Sequence, residues 1–271
     1  MWGEMSSKGQ VDELFTKTVE DWARFYRDPK PATMGAQNLV SRRRFALEMV
    51  EARVPPGSSI LDIGCGTGHL AGDLMQRGYG AWGVDLSDAM VEYAREHFNR
   101  DRFRVGDIEQ IPFPDNTFDA VMCLGVMEYL EKDEPALREI WRVLKPGGRA
   151  VITTPSSICP FFYMDVAFLK MTALARPLVR FFRYRLRGKP LPPRGRLPVV
   201  IHHRYYRPRW LNLLRTMQLE PEDWACHSWG WYSLEPFINQ GAFCRISDRF
   251  ARSSLLNWLA SNQLVCVRAT K

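Results

Sequence analysis

Residues 60–71 read ILDIGCGTGHLA, a short apolar run closed by Gly64, Gly66 and Gly68 and followed by a helical pattern. Small residues between a strand and a helix let a ligand approach the backbone and the helix N-terminus, so by position this loop, with Asp62 and Cys65, is a cofactor site. Its G-x-G-x-G spacing is not the dinucleotide G-x-G-x-x-G, and the Lys-Ser/Thr pair of a phosphate-binding loop is missing. A phosphate ligand is therefore not favoured.

Downstream of the loop, short apolar runs alternate with helical segments: GAWGVD (80–85), LSDAMVEYAREHF (86–98), RFRVGD (102–107), FDAVMCLG (118–125), a helix around EPALREIWRVL (134–144), and GGRAVITTP (147–155). Alternation of this kind implies a parallel sheet with right-handed crossovers. The regularity stops at Ser156 and resumes with a helix near Pro208 (PRWLNLLRTMQ), an apolar segment over 219–226 and a last strand, QLVCVRAT. Upstream, the helical spacing of Leu14, Phe15, Val19, Trp22, Phe25 and Tyr26, and then of Leu39, Phe45, Met49 and Val50, predicts two helices separated by the breaker-rich DPKPATMG.

The expected fold is α/β and Rossmann-like: a seven-stranded, mostly parallel sheet with helices on both faces, N-terminal helices, and a cap insertion after strand five. The expected organisation is an N-terminal helical lid (1–58), a cofactor-binding core (59–155), an aromatic and basic cap (156–203) and the C-terminal part of the core (204–271).

Of the 271 residues, 37 are basic and 30 acidic, but ten Arg and one Lys fall between Arg176 and Arg209 with no acid among them. The positive balance is thus local, which points to a dedicated contact with something negative rather than to a general nucleic-acid binder. A helix over 177–187 would put Arg176, Arg180, Arg183 and Arg187 on one face, with Leu174, Leu178, Phe181 and Phe182 roughly opposite. This basic amphipathic pattern is expected to meet an anionic membrane surface through residues 176–209, the competing reading being a solvated face of a helix docked on the core. The six cysteines form no C-x-x-C pair and no metal-like cluster, and MWGEMSSKGQVDELF lacks the apolar core of a signal peptide. The expected setting is cytoplasmic, peripheral on the membrane, with free thiols and no metal.

Two further strand ends carry acids. Asp85 closes WGVDLS about twenty residues beyond the first glycine, where a carboxylate accepts hydrogen bonds from both ribose hydroxyls. Asp107 closes the next strand in VGDIEQIPF. With Asp62, these acids face one crevice, and an acidic crevice suits a cation better than a pyrophosphate.

The ordered set ILDIGCGTG, GVDLS, GDIEQIPFPDNTFDAV and RVLKPGGRAVI closely resembles the class I S-adenosylmethionine-dependent methyltransferases over roughly Ile60–Thr154. The resemblance implies S-adenosylmethionine as cofactor, with the glycine loop against its methionyl part and Asp85, beside Leu86, on the ribose. It also implies Asp107 and Ile108 flanking the adenine, and Met90 and Leu124 lining the pocket. Where many small-molecule members have an acid followed by His after strand four, this chain has Glu128 and Tyr129. That departure removes one familiar base. His202 and His203, in IHHRYYRPRW just before the helix that follows the insertion, are candidates to take an acceptor's proton; a purely structural role competes.

Strand four carries neither the Asn/Asp-Pro-Pro-aromatic motif resembling base-amino methyltransferases nor the Pro-Cys of cytosine-C5 enzymes, and nucleic acid is not the expected partner. The added segments are instead rich in large rings, among them Trp22, Tyr26 and Tyr163, and with Tyr129 these are candidate acceptor contacts under a lid. The expected reaction is methyl transfer to a small hydrophobic or lipid-like acceptor, O-methylation being preferred. The alternatives are a protein or RNA methyltransferase that docks through the basic segment, and a cofactor-binding module without catalysis.

Overall fold

The structure, a computed structural model, describes residues 8–27, 34–160, 163, 164, 167, 203–227, 260 and 262–271. His202 and most of the 156–203 insertion, including the amphipathic pattern over 177–187, lie outside the described residues.

Seven strands form one sheet: β1 (Ser59–Ile63), β2 (Gly80–Asp85), β3 (Phe103–Val105), β4 (Phe118–Cys123), β5 (Leu144–Pro155), β6 (Leu219–His227) and β7 (Asn262–Ala269), in the spatial order β3-β2-β1-β4-β5-β7-β6. All pairings from β3 to β5 are parallel, and β7 runs antiparallel to both β5 and β6. The expected α/β architecture is present. Its strand order reverses beside β1, so the carboxyl ends of β1 and β4 diverge into a crevice, the usual ligand position of open α/β sheets.

Alternate strand residues supply two cores, because successive side chains leave a strand on opposite faces. Leu61 and Ile63 of β1, with Val121 and Cys123 of β4, pack with Leu137 and Ile140 of α6 (Asp133–Val143) and Trp210 and Leu214 of α7 (Arg207–Thr216). Ile60, Ala120 and Met122 pack on the other face with α3 (Met34–Glu51), α4 (His69–Gln76) and α5 (Asp88–His97), through Met49, Leu74 and Val91.

The first predicted helix is two: α1 (Lys8–Lys17) and α2 (Val19–Arg27). The break has a local cause. The Thr18 hydroxyl donates to the Leu14 carbonyl at 2.8 Å, and the Thr18 amide bonds Phe15 O at 3.1 Å. A side chain has taken the acceptor that the helix ladder would use, which bends the chain there.

Candidate active site

The glycine loop is held to β2 by its own backbone: the amides of Gly64 and Cys65 both donate to Val84 O, at 2.7 and 3.0 Å. Gly64, Gly66 and Gly68 all have positive φ, at 67°, 51° and 79°, the left-handed region that side chains other than glycine's seldom adopt. Their surroundings differ. A Cβ on Gly64 would run into Val126 Cγ2, and one on Gly68 would meet Ala94 and Phe103, whereas nothing lies within 4 Å of one on Gly66. Gly64 and Gly68 therefore allow close packing, and Gly66 opens the backbone to a ligand.

Asp85 grips the loop from β2. Its Oδ2 accepts from the Gly66 amide at 2.7 Å and its Oδ1 from the Ser87 amide at 2.9 Å. Each oxygen keeps acceptor capacity for a further donor.

These elements border one open cavity at the carboxyl ends of the strands, the place where small-molecule sites of such sheets lie. Gly64, Cys65 and Gly66 form one wall, Asp85, Leu86 and Met90 the next, then Asp107 and Ile108, with Leu124 and Tyr129 beyond β4. Trp22 and Tyr26 reach it from α2. Asp62 borders a smaller adjoining hollow, which shares Tyr26, Arg42, Gly64, Cys65 and Leu124 with the main cavity. Gly68 borders neither. His203 is absent from the cavity lining among the described residues; its backbone amide donates to Glu128 O at 2.8 Å and its ring meets Tyr205 edge-on. Tyr163 is half exposed and its hydroxyl donates to Ser157 O at 2.6 Å, so it too stands outside the lining.

The site holds several buried acids. Burial pushes the Asp62 carboxyl up to about 8, with Asp85 adding repulsion and Arg42 opposing; among the described residues its Oδ2 has no hydrogen-bond partner. Burial raises Asp85 as well, against the amides of Ser87 and Gly66. Glu128, 8% exposed, is raised by burial with Arg42 opposing. His69, stacked on Tyr26, is lowered to about 4 by burial and by Arg43.

The helices α1 and α2 close the cavity from above. Lys8 Nζ bridges Asp107 and Glu109, each at 2.5 Å, and the Thr16 and Ser87 hydroxyls lie 3.0 Å apart. Phe15 meets Tyr129 edge to face, with ring centroids 5.6 Å apart, and Trp22 and Tyr26 continue the row. The sequence reading did not single out Lys8, Phe15, Arg42, Thr67 or Ser87, all of which line the cavity. For Thr67 and Ser87 adjacency to the loop and to Asp85 was an available signal. For Lys8, Phe15 and Arg42 there was none, since helical periodicity does not reveal which strand end a helix crosses.

The residues present fit a cationic amino-acid-type cofactor: a glycine left open to the cavity, an orphaned buried carboxyl oxygen on Asp62, and carboxylates at three strand ends. Residues 61–152 match the family described as a methyltransferase domain. A demethylmenaquinone methyltransferase of Symbiobacterium thermophilum is 32% identical over 183 residues, covering 64% of this chain and 69% of that protein. A malonyl-[acyl-carrier protein] O-methyltransferase of Serratia marcescens is 35% identical over 99 residues, covering 36% of this chain and 39% of the relative, so this match spans about two fifths of the relative's length. In fold, the magnesium protoporphyrin IX methyltransferase of Synechocystis PCC 6803, solved with S-adenosylhomocysteine, superposes with a TM-score of 0.63 at 16% identity over 97% of this chain and 100% of that one. Glycine loop, strand-end acids, sheet order and these likenesses agree, and the chain belongs to the class I S-adenosylmethionine-dependent methyltransferases.

Proposed function

We propose that this chain transfers the methyl group of S-adenosylmethionine to a small, lipophilic acceptor, with oxygen the preferred receiving atom. The observation that carries the reading is the mixed lining of one cavity, which joins the carboxylates of Asp85 and Asp107 to the rings of Phe15, Trp22, Tyr26 and Tyr129. The cofactor supplies an electrophilic methyl group on a sulfonium. The protein's task is to hold an acceptor against it and keep water out.

On this reading Asp85 holds the ribose hydroxyls, Asp107 and Ile108 flank the adenine, and Met90, Leu86 and Leu124 line the pocket. Gly66 takes the methionyl backbone, Asp62 the ammonium side and Arg42 its carboxylate. The names of the similar proteins support a lipophilic or acyl-type acceptor, since one is a demethylmenaquinone methyltransferase and another a malonyl-[acyl-carrier protein] O-methyltransferase. His202 and His203 are kept as the candidate proton acceptors for a protonated acceptor, His203 standing outside the cavity lining among the described residues.

Membrane contact through residues 176–209 is part of the proposal, narrowed at its carboxyl end. Arg204 Nε donates to Ser156 O at 2.9 Å, and the Arg207 guanidinium lies 3.7 Å over the Trp224 ring. Both serve the body of the protein, so the proposed contact rests on the other basic residues of 176–209. Among the described residues no helix is long and apolar enough to cross a membrane.

The test is incubation of the protein with methyl-labelled S-adenosylmethionine and a cell extract, followed by partition of the label. Label in the organic-soluble fraction supports the reading. Label retained on protein or RNA overturns it and makes the basic segment a docking surface.

A further inference from the structure

The turn Met127–Tyr129 follows β4 and passes directly over the glycine loop, because Val126 fills the space beside Gly64. It is pinned from several sides. The Tyr205 hydroxyl and the Leu130 amide both donate to Met127 O, at 2.8 and 3.2 Å, and the His203 amide donates to Glu128 O at 2.8 Å. A side chain on such a turn has little freedom to swing towards solvent.

Glu128 borders the main cavity, is more than nine-tenths buried, and among the described residues its Oε2 has no hydrogen-bond partner. Leaving a buried carboxyl oxygen unpaired costs roughly 1–3 kcal/mol or more. A native fold tolerates that where a ligand completes the bond. The nearby Arg42 already supplies opposing positive charge, so the missing partner need not be a cation. Beside the turn the cavity wall carries Phe15, whose ring meets Tyr129 of the turn edge to face, with Val126 and Leu130 flanking, an apolar surface that suits a ring.

Resting on the methyltransferase reading above, we infer that Glu128 is the polar anchor of the acceptor: its Oε2 receives the hydrogen of a hydroxyl group on an aromatic, lipophilic molecule. Phe15 and Tyr129, packed edge to face on each other, offer the ring one joint apolar surface, and Glu128 selects for the hydroxyl. Glu128 is thus a specificity-determining residue, distinct from the carboxylates that face the cofactor.

The experiment is calorimetric titration of the full chain, saturated with S-adenosylhomocysteine, with two matched probes, 2-naphthol and 2-methoxynaphthalene. The wild type is expected to bind the naphthol at least about tenfold more tightly, the worth of one hydrogen bond to a charged group. Glu128→Leu should bring the two affinities within about twofold, while Glu128→Gln, which keeps the shape and an acceptor oxygen, should retain part of the preference. Equal affinities in the wild type, no binding of either probe, or a preference that survives in both variants would overturn the inference. Failure of the wild type to bind S-adenosylhomocysteine at all would strike the underlying methyltransferase reading instead.

Discussion

The Asp85 carboxylate accepts a hydrogen bond from the Gly66 amide at 2.7 Å, tying the end of the second strand to the one loop glycine that faces open space. A single side chain thereby shapes the backbone that faces the cavity and keeps acceptor capacity for a further donor.

Asp85→Ala is expected to weaken S-adenosylhomocysteine binding by about two orders of magnitude, the loss of two charge-assisted hydrogen bonds at roughly 1.5 kcal/mol each. Isothermal titration calorimetry measures this. An affinity within threefold of wild type would remove Asp85 from the cofactor site.

Lys8 clamps α1 to Asp107 and Glu109, beside the part of the cavity proposed to take the adenine. Both pairs are partly exposed, so together they contribute about 1 kcal/mol. Lys8→Met should release S-adenosylhomocysteine about fivefold faster, and the acceleration that salt causes in the wild type should shrink in the variant. Stopped-flow displacement reads both. Equal release rates would mean that α1 opens independently of the clamp.

Gly64→Ala adds a methyl group against Val126 at a residue with φ of 67°. Overpacking and left-handed strain together are expected to cost at least about 2 kcal/mol in urea unfolding. Adding Val126→Ala should recover only part of the loss, since it clears the contact and leaves the backbone strained. Full recovery would show that the contact alone makes glycine necessary here.

Asp62 predicts a pH dependence of its own. Its folded carboxyl titrates near 8, above the ordinary 3.8, so between those values the folded state holds a proton that the unfolded chain has lost. The stability contributed by this group falls as pH rises through that window, by at most about 1.4 kcal/mol per pH unit. Asp62→Asn should flatten the decline in thermal midpoint from pH 5 to 8 and leave the ligand-free variant the more stable at pH 8. A slope identical to wild type would mean that Asp62 is already ionised in the folded protein.

Much of this protein was legible in local pattern. The runs ILDI, GAWGVD and FDAVMC became β1, β2 and β4, and the acids at 62, 85 and 107 came to neighbouring strand ends, because glycine loops and strand-end acids mark backbone positions that depend on few residues far away. The break at Thr18 was also local, but the decisive contact, a threonine hydroxyl turned back on its own helix, carries no mark in hydrophobic spacing.

Local pattern sufficed, then, for the fold and the cofactor. Packing across the chain was needed for the rest. It brought Lys8 to Asp107, Phe15 to Tyr129 and Arg42 into the lining, and it left His203 held by its backbone outside that lining. The physical reason is range: a strand end is specified by the residues on either side of it, whereas the rest of the cavity lining is specified by helices that meet it from positions about a hundred residues away, a relationship that periodicity along the chain does not encode.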